Sequence, residues 1–106
     1  MSIAAIIIEP YNNFYLPIST EAFFQRCWVP AIRELQLEIV SLFSDPGVDI
    51  TISELPRLIK ELELIQGWAV IKLAPDDLEH ITKRINALLI RLPEIFRENN
   101  VTIYIG

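Results

Sequence analysis

Between residues 78 and 96 the apolar side chains fall at Leu78, Ile81, Ile85, Leu88, Leu89, Leu92 and Phe96. Spacings of three and four place all of them on one stripe of an amphipathic helix. Pro75 and the Asp76–Asp77 pair suit the opening turn of that helix, where acids meet its positive end. Pro93 is expected to bend its far end. A helix with one apolar stripe cannot stand alone; a sheet or other helices must cover it. The chain supplies both.

Seven prolines punctuate the remainder. "SIAAIII" (2–8) is a short run rich in β-branched residues that stops at Pro10, and it reads as a buried strand. "PYNNFYLP" (10–17) reads as a loop or a ragged edge segment. Ser19 or Thr20 can cap a helix that begins with Glu21. Phe24, Cys27, Trp28, Ala31 and Leu35 form its stripe, and Pro30 should kink or split it, because the bond to the Arg26 carbonyl is lost. "LEIVSLF" (37–43) reads as a strand, "SDPG" (44–47) as a turn, and "VDITI" (48–52) as a short strand pairing back. Ser53 is the expected cap of the next helix, with Leu55, Leu58, Ile59, Leu62 and Ile65 as its stripe and Gly67 as its end. "WAVIKL" (68–73) fits a strand or an ordered loop. Asn99–Asn100 makes a turn, and "VTIYI" (101–105) is a final strand with Val101, Ile103 and Ile105 on one face. These elements predict a single α+β domain over 1–106: two layers, a small mixed sheet packed by three helices, mostly on one face.

Length and charge limit what such a domain can do. One hundred and six residues suffice for one core and not for two. Fourteen acids against nine bases give a net charge of −5. That field opposes nucleic acid, whose binding depends on neutralised phosphates, and it opposes anionic membrane surfaces. It suits a basic protein partner, and it also serves solubility. No apolar run approaches the ~20 residues of a membrane helix. The N-terminus lacks the basic stretch of a secretory signal. The single cysteine fits a reducing compartment, so a cytoplasmic location is expected.

Residues able to carry chemistry are few. The only histidine, His80, lies off the apolar stripe of its helix and reads as a partly exposed helical residue. Cys27 lies within a core stripe, where a thiol is usually inert. Asp76–Asp77 reads as helix capping before catalysis or metal binding. Cys/His metal spacings, acidic calcium loops and glycine-rich phosphate loops do not occur in the sequence. Catalytic, cofactor-binding and metal-binding residues are therefore not assigned, and the chain is not expected to be an enzyme.

Two helices break their own pattern. Leu64 points about 150° from the centre of its stripe, among Arg57, Lys60 and Glu61. Ile90 lies opposite the stripe of its helix, along the line of Glu79, Lys83, Ala87 and Glu94. Single exposed aliphatics are ordinary; two on successive helices raise the prospect of a contact surface. Six of the ten aromatics cluster between Tyr11 and Trp28. Core packing explains most of them, while Tyr11 and Tyr15, with polar tips, are the ones to reach a pocket or a partner. The candidate partner-binding set is thus Leu64, Glu61, Ile90, Glu79, Glu94, Tyr11 and Tyr15.

"ISELPRLIKELELIQGW", "DDLEHITKRINALLIRL" and the terminal "VTIYIG", in a small acidic α+β chain, resemble the small bacterial immunity proteins of contact-dependent growth inhibition and related polymorphic toxin systems. The resemblance spans roughly residues 50–106 and carries over no functional residue. It implies a protein that binds a cognate toxin domain and blocks its active site or substrate access, without catalysis of its own. The modest net charge departs from the strongly acidic members that neutralise nucleases. The alternative is a homo-oligomeric structural or regulatory subunit, its exposed aliphatics meeting across a two-fold axis. A third reading is an enzyme or small-ligand sensor built on the Tyr11–Tyr15 segment.

Overall fold

The structure is a computed structural model that describes residues 2–11, 14–98 and 100–106. β1 (Ser2–Glu9) and β2 (Tyr15–Thr20) come first. Asn12, Asn13 and Asn99 lie outside the described residues, and with them parts of the expected 10–17 loop and of the Asn99–Asn100 turn. Thr20 is the helix cap, its Oγ1 accepting the Phe23 amide at 3.1 Å. Helical structure then runs through Glu21–Phe23, a π-helical turn Phe24–Trp28 and Val29–Leu35, together α1. The wide turn directly precedes Pro30 and accommodates the lost donor, so the helix changes pitch and does not break. β3 (Val48–Ile50), α2 (Leu55–Lys72), α3 (Pro75–Ile95) and β4 (Thr102–Ile105) complete the chain.

The four strands form one sheet in the order β2-β1-β4-β3. Each pairing is antiparallel, so the expected mixed sheet is replaced by an antiparallel one. The reason is topological: α2 and α3 form an antiparallel pair that returns the chain to the end it left, and β4 runs back beside β3. Ile3, Ala5, Ile7, Ile50, Ile103 and Ile105 point from the sheet into the helices. They meet Phe24, Trp28 and Phe43, whose rings lie within 5.7–6.5 Å of one another, and the stripes of α2 and α3. Full burial of each such side chain contributes roughly 1.5–3 kcal/mol. The α+β two-layer domain is therefore as expected.

Four local expectations are corrected. Residues 37–43 form a 3₁₀ turn at Val40–Leu42, not a strand. Leu37, Val40 and Phe43 are all buried, a period of three that brings them to one side of such a turn. Ser53 makes no capping bond; Glu54 folds back instead, accepting the Thr51 amide at 2.8 Å and the Thr51 hydroxyl at 2.7 Å. Gly67 does not end α2, which continues through "WAVIK" to Lys72 because Ala69 and Leu73 prolong the apolar stripe. "VDI" pairs with β4 and not back onto 37–43. No helix among the described residues is long and apolar enough to cross a membrane.

Candidate functional site

The residues closest to chemistry meet at one place, where the first turn of α3 packs beside α1. Arg26 Nη1 donates to Asp77 Oδ2 at 2.6 Å, and the Arg26 guanidinium lies 5.4 Å from the Phe23 ring centre. His80 packs edge-on against the same ring, with centroids 4.6 Å apart. Cys27 lies beside Asp77. Sequence had treated Cys27, His80 and Asp77 as unrelated; the fold collects them.

Electrostatics there run against nucleophilic activation. Burial pushes the Cys27 thiol up, and the neighbouring Asp77 carboxylate adds to that against the pull of Arg26. A reactive cysteine needs the reverse, a stabilised thiolate with access to solvent. The Asp77 carboxyl is held below the usual carboxylate range by its bond from Arg26. An ionised acid, an arginine and a buried neutral thiol make a clamp between two helices. Among the described residues, no group of three or more His, Cys, Asp and Glu is placed to hold a metal.

A second feature is an open cleft of about 400 Å³ where β1 ends against the last turns of α3. Ile7 and Ile95 form its apolar part, and Tyr11 and Phe14 stand at its side. Arg91 lies 5.0 Å over the Phe14 ring and pairs with Glu94 at 3.6 Å. Arg97 and Glu98 complete the lining, so the charges balance and select no ligand sign. Tyr11 and Tyr15, expected to act together, are separated here: Tyr15 pairs with Ile6 and shares its face of the sheet, away from the cleft.

The third feature is the outward face of α2 and α3. Because α2 continues past Gly67, Ile71 lies two turns beyond Leu64 on the same line. Ile71 is 81% exposed and Val70 67%, with Leu64 at 41%. Gly67 lies between them with no atom within 4 Å of where a Cβ would stand, which leaves the stripe shallow and open. Gln66 Nε2 donates to Asn86 Oδ1 at 2.7 Å, fixing the register of the two helices. One turn beyond Asn86 stands Ile90, 64% exposed, level with the turn of α2 that carries Leu64. Glu63, Glu79 and Glu94 are exposed on the same two helices.

Glu61 does not belong to this surface. It is 6% exposed and turns inward, where its carboxylate accepts the amides of Glu38, Ile39 and Val40 at 2.9–3.2 Å. The expectation that it meets a partner is corrected: three backbone amides at the 3₁₀ turn that need an acceptor draw it inside. Ile71 is the residue of this line that sequence reasoning missed, and Val70 is exposed on its flank. The signal for Ile71 was available in the 3.6-residue period of the helix, which continues unbroken across Gly67. No family model matches the chain, and no curated protein or solved structure was found to match it.

Proposed function

We propose that this chain is a non-catalytic binding protein that masks a cognate toxin domain, an immunity protein of the kind its second half resembles. The observation that carries the reading is the exposed aliphatic line of Leu64 and Ile71 on α2, with Ile90 beside it on α3. Clustered exposed apolar groups rimmed by charge are the usual mark of an interaction surface. Each would contribute roughly 1.5–3 kcal/mol on full burial. The net charge of −5 favours a basic partner and speeds encounter with it. Binding and masking in the cytoplasm need no residue beyond those of this surface.

The test is co-expression with the product of the adjacent reading frame, followed by affinity capture and titration. A stoichiometric complex that the Ile71→Asp variant weakens supports the proposal. Failure to form a complex at micromolar concentration removes it.

A further inference from the structure

The helices cover one face of the sheet, and the other face is open. Ladder partners share a face, so Tyr15, Ile6, Tyr104 and Asp49 form one row across β2, β1, β4 and β3. Ala4, buried at 8% exposure, and Pro17 pair on one side of that row; on the other, Glu9 pairs with Thr102 beyond the register shift of β1, where Ile8 is 41% exposed. The Tyr104 ring lies along the sheet over Gly47 and Gly106, where an added Cβ would stand 2.1 and 2.4 Å from its hydroxyl oxygen. That hydroxyl donates to the Pro46 carbonyl at 3.2 Å. Antiparallel sheets that face water on one side alternate apolar-in with polar-out. Here the outward row holds one charge, Asp49, at its very end.

We propose that this open sheet face is a self-association surface that takes a second copy of the same chain. A two-fold axis running along the strands between β1 and β4 carries the row onto itself in reverse. Tyr15 of each copy then meets Asp49 of the other, and Ile6 meets Tyr104. The phenol donates and the carboxylate accepts, so both ends of the row are satisfied at once while the middle is apolar. Self-complementarity under a two-fold is what an isologous interface requires. A phosphate backbone is opposed by Asp49 and by the net charge. Strands about 4.8 Å apart and about 3.4 Å per residue give a footprint on the order of 300–400 Å² per copy, under half of a standard interface. The dimer is accordingly transient and dissociates on dilution.

The experiment is sedimentation equilibrium together with amide shift mapping on dilution of the full chain from about 1 mM to about 10 μM. The expected result is a concentration-dependent mass, with shifts confined to β1, β2, β3 and Tyr104. A constant monomer mass overturns the proposal, as do shifts centred on Leu64 and Ile71. Tyr15→Glu should weaken the dimer about tenfold, because it sets a second carboxylate against Asp49 across the axis, and adding Asp49→Lys should restore it. Absence of that rescue, with both variants folded by circular dichroism, also overturns it. If a variant unfolds, the wild-type shift map decides by itself. Toxin binding is read from the helical face, so the two proposals fail separately.

Discussion

Glu61 Oε1 accepts the backbone amide of Val40 at 2.9 Å, a bond from the middle of one helix to a turn more than twenty residues earlier. The same carboxylate takes the amides of Ile39 and Glu38, and Arg57 stands beside it, its Nε 3.9 Å from Oε2. One side chain therefore terminates the 37–43 segment as a turn. Glu61→Ala leaves buried amides without acceptors, and a loss of about 2–4 kcal/mol is expected. Glu61→Gln keeps one acceptor oxygen but presents an NH₂ to a donor, so it should fall between alanine and wild type. Urea unfolding measures both; variants within about 0.5 kcal/mol of wild type would return Glu61 to the surface.

Leu64→Asp, Ile71→Asp and Ile90→Asp place a charge where the structure has solvent. Each is expected to leave the helical circular dichroism unchanged and to shift stability by less than about 0.5 kcal/mol. Each should weaken the proposed complex with a toxin domain, by roughly tenfold or more, since a desolvated carboxylate replaces a buried aliphatic. Ile71 should give the largest effect, being the most exposed of the three. Unfolding of any of them would place that side chain in the core and remove the proposed interface.

These two sites show what a sequence carries and what it withholds. The α3 stripe was legible because spacing over about five turns has one solution, and every residue of it is buried or half-buried. Residues 37–43 were not, because seven apolar-rich residues fit a strand or a turn equally, and the arbiter is a carboxylate far along the chain. The same distance hid the role of Glu61, which looks like any helical surface acid. Gly67 misled for a related reason: a glycine costs an α-helix about 1 kcal/mol, and the burial of Ala69 and the partial burial of Trp68 and Leu73 offset it. With the end of α2 misplaced, the outward line stopped at Leu64, and Ile71 was lost from it.

Stability should fall at both ends of the pH range. The carboxyls of Asp77, Glu21 and Glu54 are held below their ordinary values by bonds from Arg26, Ser44 and Thr51 respectively. A depressed carboxyl stabilises the fold above its unfolded value, near pH 4, and that stability is lost as pH falls through the lower folded value. The Cys27 thiol, raised by burial, acts oppositely. Above about pH 8.5 the unfolded chain loses that proton while the native chain keeps it, so stability declines as pH rises. Urea midpoints should be level between about pH 5 and 8 and drop outside that window. Asp77→Asn should flatten the acid limb and Cys27→Ala the alkaline one; limbs unchanged by these substitutions would assign them elsewhere.

Gly47 has φ +93°, and a Cβ there would also stand 2.1 Å from the Tyr104 hydroxyl oxygen. Gly47→Ala therefore incurs two separable costs: about 1–2 kcal/mol for an L-residue in left-handed backbone, and the displacement of the tyrosine ring. Tyr104→Ala removes the ring and its bond to Pro46, and should cost stability by itself. In the double variant the steric cost disappears but the backbone cost remains. The two substitutions should thus be non-additive, with the double variant less destabilised than the sum, and the difference measures how firmly the ring is pinned to the sheet. Tyr104→Phe isolates the hydroxyl, for which about 0.5–1.5 kcal/mol is expected. Strict additivity in urea would mean that the ring moves aside freely and that Tyr104 is not pinned over Gly47.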